Sequence, residues 1–319
     1  MSSVRQLRIG TRASALALWQ ARHLQSLIRA LPGAPPVELV PITTTGDVRT
    51  DVPLWAIRGR AFFTKELDRA LTEGRIDIAV HSLKDLPTAM EPGLALAAVL
   101  TREDPRDALV SRDGAALAQL PRAARVGTSS LRRRAFLARA RPDLTLLELR
   151  GNVPTRLERL VQGGYDAIVL AAAGLKRLGL ERRITQHLSA DEFPPAVSQG
   201  AIGICARADD RYSLDWLRPL EDAATRLATT AERALLERIE GGCQVPLGAL
   251  ATALGSAVRL RAAVCALDGS QLLSAQGEAQ ATTAAAEALG VRLATELIGK
   301  GAAALMAAER AVQGQVQAP

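Results

Sequence analysis

The chain has 319 residues, 48% hydrophobic and 23% charged, which suits two or three soluble globular domains, and its longest apolar runs, such as 94–100, are far too short to cross a bilayer. Forty Lys and Arg against 33 Asp and Glu give a net charge of +7 and call for an anionic partner; 3% aromatic content and the lack of any helix-turn-helix, zinc-finger or RNP-type motif argue against nucleic acid. Three cysteines (Cys205, Cys243, Cys265) and three histidines show neither a disulfide framework nor zinc-ligand spacing, so a reducing cytoplasm and no bound metal are expected.

Residues 4–10 alternate as a strand does, 15–31 carry helical spacing and 37–42 form a second strand, which together make a βαβ unit. Arg12 and Ser14 fall at the strand end and helix start, where open α/β sheets bind ligands. Residues 46–63 are polar and irregular, and a loop of that length inside a domain reads as a lid, with Arg60 placed to meet carboxylates and Phe63 as an apolar anchor. A helix at 64–73 and a strand at 76–80 run into His81-Ser82-Leu83-Lys84-Asp85-Leu86-Pro87. That segment gathers an acid, a cation and two hydrogen-bond donors at a sheet edge, although a surface Lys-Asp turn has the same pattern.

The polar run 101–106 marks a crossing into further βα units. Around Gly127-Thr128-Ser129-Ser130 and the helix start Arg132-Arg133, backbone N–H groups, hydroxyls and guanidinium groups converge as an anion cradle. Strands at 144–149 and 165–171 end near Arg150 and Arg177, with Arg156 on the helix between them. Only four of the basic residues are lysine, and arginine suits planar, bidentate recognition of carboxylates. Arg12, Arg132, Arg133, Arg150, Arg156 and Arg177 sit where the crevice should be, whereas Arg134, Arg139, Arg141, Arg159, Arg182 and Arg183 read as a solvated face.

Pro194-Pro195 opens a crossing back into a strand near 202, and two crossings between two α/β halves make a hinge with the cleft between them. From about 223 a smaller α+β domain follows, with a helix at 228–239, strands at 247–254, 257–267 and 271–276, and an alanine-rich helix at 282–298. Between its first helix and first strand, Gly241-Gly242-Cys243-Gln244-Val245-Pro246 places a cysteine on a loop, where it is either a reactive thiol or a small buried hydrophobe.

Taken together, Ile9 to Ser14, His81 to Pro87, Val126 to Arg133, Leu149 to Val153, Ala173 to Leu180 and Gly241 to Pro246 resemble the porphobilinogen deaminase (hydroxymethylbilane synthase) family over nearly the whole chain. The resemblance implies two doubly wound, hinged α/β domains like those of periplasmic binding proteins, spanning 1–102 with 198–220 and 103–197, plus a small α+β domain at 221–319. It implies a transferase of tetrapyrrole biosynthesis that joins four porphobilinogen molecules head to tail with loss of ammonia, on one covalent dipyrromethane per chain, and then frees the linear tetrapyrrole by hydrolysis. In that scheme Asp85 is catalytic and Cys243 carries the cofactor by a thioether, with Lys84, Thr128, Ser130, Arg132, Arg133 and Arg150 binding it. Arg12, Ser14, Ser82, Arg156, Arg177 and Gln199 bind substrate. The family implies a cytoplasmic monomer that handles porphobilinogen and the growing oligopyrrole, with no nucleic acid or membrane partner. Arg60-Ala61-Phe62-Phe63 stands where the family commonly has Lys-Gly-Leu-Phe, and Cys205 where it usually has glutamate. The alternative from another class is a hinged two-lobed anion-binding protein without chemistry.

Overall fold

In the computed structural model, which describes residues 5–44, 64–239 and 246–307, the apolar alternation of the first residues becomes β1 (Leu7–Thr11), with Leu7 and Ile9 buried. Ser14 caps α1 (Ala15–Arg29) by accepting from the Ala17 N–H, and Ala21, Leu24 and Ile28 on its inner face close the core over the sheet. β2 (Val37–Pro41) and β3 (Ile78–Ser82) flank β1 in parallel, and α2 (Lys65–Thr72) packs on the opposite face through Leu67 and Leu71. β3 ends later than the alternation predicts, because β10 (Ile202–Arg207) pairs antiparallel with it as far as Ile202 opposite Ser82. Strand pairing therefore takes in His81 and Ser82, and only Leu83–Asp85 turns away, as one 3-10 turn. β4 (Leu94–Val99) closes the order β2-β1-β3-β10-β4.

The second sheet repeats the arrangement with β5 (Asp107–Ser111), β6 (Arg125–Gly127), β7 (Thr145–Leu147), β8 (Ala167–Ala171) and β9 (Gln186–His187), in the order β7-β6-β8-β5-β9. In each sheet three parallel strands are followed by an antiparallel one, and that strand comes directly from a crossing: β5 from the first, β10 from the second. The helices of the second sheet are α3 (Leu131–Ala140), α4 (Val153–Val161) and α5 (Ala172–Arg177). Arg141, expected on a solvated face, instead pairs with Asp143 and donates to the Leu117 and Leu120 carbonyls, which leaves it holding a turn together.

After α6 (Arg211–Leu217), helix α7 (Ala223–Arg238) begins five residues earlier than the apolar spacing suggests, because Asp222 accepts from the Thr225 N–H and caps it there. α7 and α8 (Thr283–Gly299) cover one face of the meander β11 (Leu247–Leu254), β12 (Ala257–Cys265) and β13 (Leu272–Gln280). Gly290 lets the two helices touch: a Cβ there would run into the Ala231 carbonyl oxygen. β13 is longer than its pattern predicts because it pairs with the whole of β12, ending with Gln280 opposite Ala257.

Glu232 of α7 is fully buried and fastens this third unit to both crossings. It accepts from Arg102 at 2.6 and 3.2 Å on the first crossing, from the Ser198 N–H at 2.6 Å on the second, and from the Ala251 N–H at 2.7 Å. Beside it, Gly200 has φ +91° and lies so close to the Glu103 carbonyl oxygen that a side chain would collide. No helix of the described residues is long and apolar enough to cross a membrane.

Candidate active site

The chemistry-bearing residues lie where strands of both halves end. On the first sheet, Arg12 and Ser14 leave β1, Ser82 ends β3, and the buried Leu83 anchors the turn that carries Lys84 and Asp85. Arg12, Ser14, Gln20, His81, Ser82 and Asp85 line a cavity of about 60 Å³. Gln20 reaches across from α1 to donate to the Ser82 hydroxyl at 2.9 Å. Burial, reinforced by Arg12, pushes His81 down to about 4, so its imidazole is neutral at physiological pH.

On the second sheet, β6 ends at Gly127, the Thr128 hydroxyl accepts from the Ser130 N–H, and Ser130 caps α3 by accepting from the Arg133 N–H. Arg132 and Arg133 thus emerge at a helix N-terminus, where two cations oppose the helix dipole. They are only 4% and 6% exposed, and both meet Asp107, the fully buried first residue of β5. Arg132 Nη1 lies 2.8 Å from Oδ2, and Arg133 Nε and Nη2 donate to Oδ1 at 3.1 and 2.8 Å. Burial alone would raise the Asp107 carboxyl, but the two arginines outweigh it and hold it well below the usual carboxylate range.

Gln199, on the second crossing, joins the two halves. Its Nε2 donates to Asp107 Oδ1 and to the Pro105 carbonyl, both at 2.8 Å, and its Oε1 accepts from Lys84 Nζ at 3.2 Å. Lys84 is pushed down to about 8, chiefly by burial, with Arg133 and Arg132 opposing its charge and Asp85 and Asp107 supporting it. Arg156, whose Nε donates to the Gly151 carbonyl, is pushed down to about 10 by burial and then by Arg133. It feels Glu148, Arg150 and Asp85 as well, so Asp85 and the second-sheet arginines belong to one charge cluster.

Arg177 stands apart from this cluster. It donates to the Gly200 carbonyl at 2.6 Å and lies 5.8 Å from the Trp19 ring centroid, bracing the crossing against α1. Cys243, Arg60 and Phe63 fall outside the described residues. Asp107 and Gln20 were not singled out from the sequence; a lone acid opening the apolar run Asp107-Ala-Leu-Val was the available signal for the first.

Residues 7–215 match the family description "Porphobilinogen deaminase, dipyromethane cofactor binding domain", and residues 226–299 match "Porphobilinogen deaminase, C-terminal domain". The chain belongs to the porphobilinogen deaminase family. The porphobilinogen deaminase of Syntrophotalea carbinolica is 51% identical over 302 residues, 95% of each chain. Solved structures with a similar outline are more distant. A YaeC-family lipoprotein of Enterococcus faecalis has a TM-score of 0.40 at 12% identity, covering 67% of this chain and 90% of its own. A putative sulfonate-binding protein, SsuA from Methylobacillus flagellatus, has a TM-score of 0.39 at 14% identity, covering 75% and 69%. A binding protein without chemistry is not favoured.

A porphobilinogen deaminase carries a dipyrromethane whose acetate and propionate groups need cationic donors, and the residues present fit that need. Arg132 Nε and Arg150 Nη1 are buried donors with no hydrogen-bond partner among the described residues, in a cluster already rich in guanidinium groups. Buried donors left unmade are costly, and a carboxylate would satisfy them. Among the described residues no group of three or more His, Cys, Asp or Glu could hold a metal.

Proposed function

We propose that substrate reacts at the Asp85 cavity and that the arginine cradle beside it holds the cofactor, within the established reaction of the family. That reaction joins four porphobilinogen molecules head to tail, each losing ammonia, and releases hydroxymethylbilane by hydrolysis. The observation that carries the placement is the pair of buried donors with no hydrogen-bond partner among the described residues, Arg132 Nε and Arg150 Nη1, in the charge cluster that includes Asp85.

When bound, dipyrromethane supplies the pyrrole α-carbon to which the first substrate is joined. Asp85 accepts hydrogen bonds from pyrrole N–H groups, assists proton transfer and stabilises the positive charge that develops on substrate as ammonia leaves. Lys84, Thr128, Ser130, Arg132, Arg133 and Arg150 hold the cofactor, while Arg12, Ser14, Ser82, Arg156 and Gln199 receive substrate carboxylates. Arg177 acts on substrate indirectly, by bracing the crossing that carries Gln199. Cys243, inside the matched segment 226–299, is the attachment thiol by family resemblance, and Arg60 and Phe63 are lid residues on the same ground. Sheet membership supports the division into 1–102 with 198–220, 103–197 and 221–319. We also take the protein to be a cytoplasmic monomer; sedimentation of the purified chain would check its oligomeric state.

Two substitutions test the reading. Asp85→Asn keeps the shape but removes the charge, and loss of one preorganised electrostatic contact lowers kcat on the order of 10²-fold or more. Cys243→Ser should give a folded, inactive chain whose intact mass lacks the cofactor, because a hydroxyl is a far poorer nucleophile than a thiolate. Parent-like turnover by Asp85→Asn, or a cofactor-loaded Cys243→Ser, overturns the corresponding assignment.

A further inference from the structure

We infer that Asp107 is a positioning residue for Lys84, acting through the side-chain amide of Gln199. The inference rests on the reading of Lys84 as part of the cofactor cradle. The Gln199 Nε2 group faces two atoms that can only accept, Asp107 Oδ1 and the Pro105 carbonyl oxygen. Asp107 is ionised, because Arg132 and Arg133 stabilise its charge, so it has no proton to give back to the amide. The amide oxygen is thereby committed to the opposite direction, where Lys84 Nζ lies at 3.2 Å. An oxygen there receives the ammonium. Were the amide reversed, two N–H hydrogens would point at it.

The arrangement spans the cleft: Lys84 belongs to the turn after β3, Gln199 to the second crossing and Asp107 to the start of β5. Among the described residues, the charged groups facing Lys84 are Asp85 on its own turn, Asp107 on β5, and Arg132 and Arg133 on α3. The two carboxylates support the ammonium; the two guanidinium groups and burial oppose it. Loss of Asp107 thus withdraws a charge and an orienting contact together, and Lys84 gives up its proton at lower pH.

The test reads Lys84 itself. Full-length Cys243→Ser protein, in which bound cofactor does not shield the amine, is labelled with a trace of acetic anhydride across a pH series, and acetylation of Lys84 and of the remote Lys65 is quantified by peptide mass. With Asp107→Asn added, the Lys84 midpoint should fall by about one pH unit, the scale of one neighbouring charge, while Lys65 stays put. Gln199→Met, which leaves Asp107 with its arginines, should lower it in the same direction and guards against misfolding of the first variant. An unchanged Lys84 midpoint in folded Gln199→Met overturns the relay. Intact mass of the same substitutions with Cys243 restored tests the cradle separately: full cofactor loading despite a shifted Lys84 would refute the cradle reading and leave the relay standing.

Discussion

Asp107 and its two arginines make a buried group from which no charge can be removed alone. Arg133→Leu deletes two of the donors to Oδ1 and leaves a carboxylate in the interior with incomplete compensation. Breaking a buried pair in this way costs about 3–5 kcal/mol, to be read by urea unfolding at neutral pH. Because the folded-state pKa of Asp107 is depressed, its contribution is fully present above the unfolded value of about 3.9 and is lost as pH falls below it. The gap between parent and variant should therefore narrow toward pH 3; a constant gap would show that Asp107 is not the partner. At this scale the arginines were legible, since Gly127-Thr128-Ser129-Ser130 before a basic helix start is a local pattern. Asp107 was not, because its partners come from α3 and from Gln199, 92 residues further along the chain.

Helix α2 carries its own pH dependence. Asp68 lies against the core, and burial, with Glu91 and Glu66 nearby, pushes its carboxyl up to about 6. A raised pKa means that the folded state binds the proton more tightly, so stability falls as pH rises from about 4 through 6. Asp68→Asn, neutral at every pH, should melt a few degrees above the parent at pH 8 and level with it at pH 4. Equal melting at both pH values would place the Asp68 carboxyl in contact with solvent. Elements as such were mostly legible, because 3.6- and 2-residue periods are written locally; β11 runs over the expected 247–254. Their ends were not. β3 and β13 extend as far as a partner strand accompanies them, and α7 starts where Asp222 caps it.

For the whole molecule, Glu232 is one buried point at which the third unit is tied to both crossings. Glu232→Gln leaves Arg102, itself mostly buried, without its counter-charge, and should lower unfolding stability by about 3–5 kcal/mol. If the tie joins the units, that loss is accompanied by faster hydrogen exchange at both crossings; a change confined to α7 would show that it does not. The placement of β10 has a consequence for how the chain is made. β10 is inserted between β3 and β4, and β4 has no other sheet neighbour among the described residues, so the N-terminal half cannot close until residue 207 has been synthesised. All five strands of the second sheet are already present by His187. On a ribosome adding about 5–20 residues per second, the middle of the chain can therefore finish folding first, while the segment bearing Asp85 waits with an open sheet edge for its last strand. A chain truncated at residue 201 and released from the ribosome should show protected amides in β5 to β9 and fast exchange in β4.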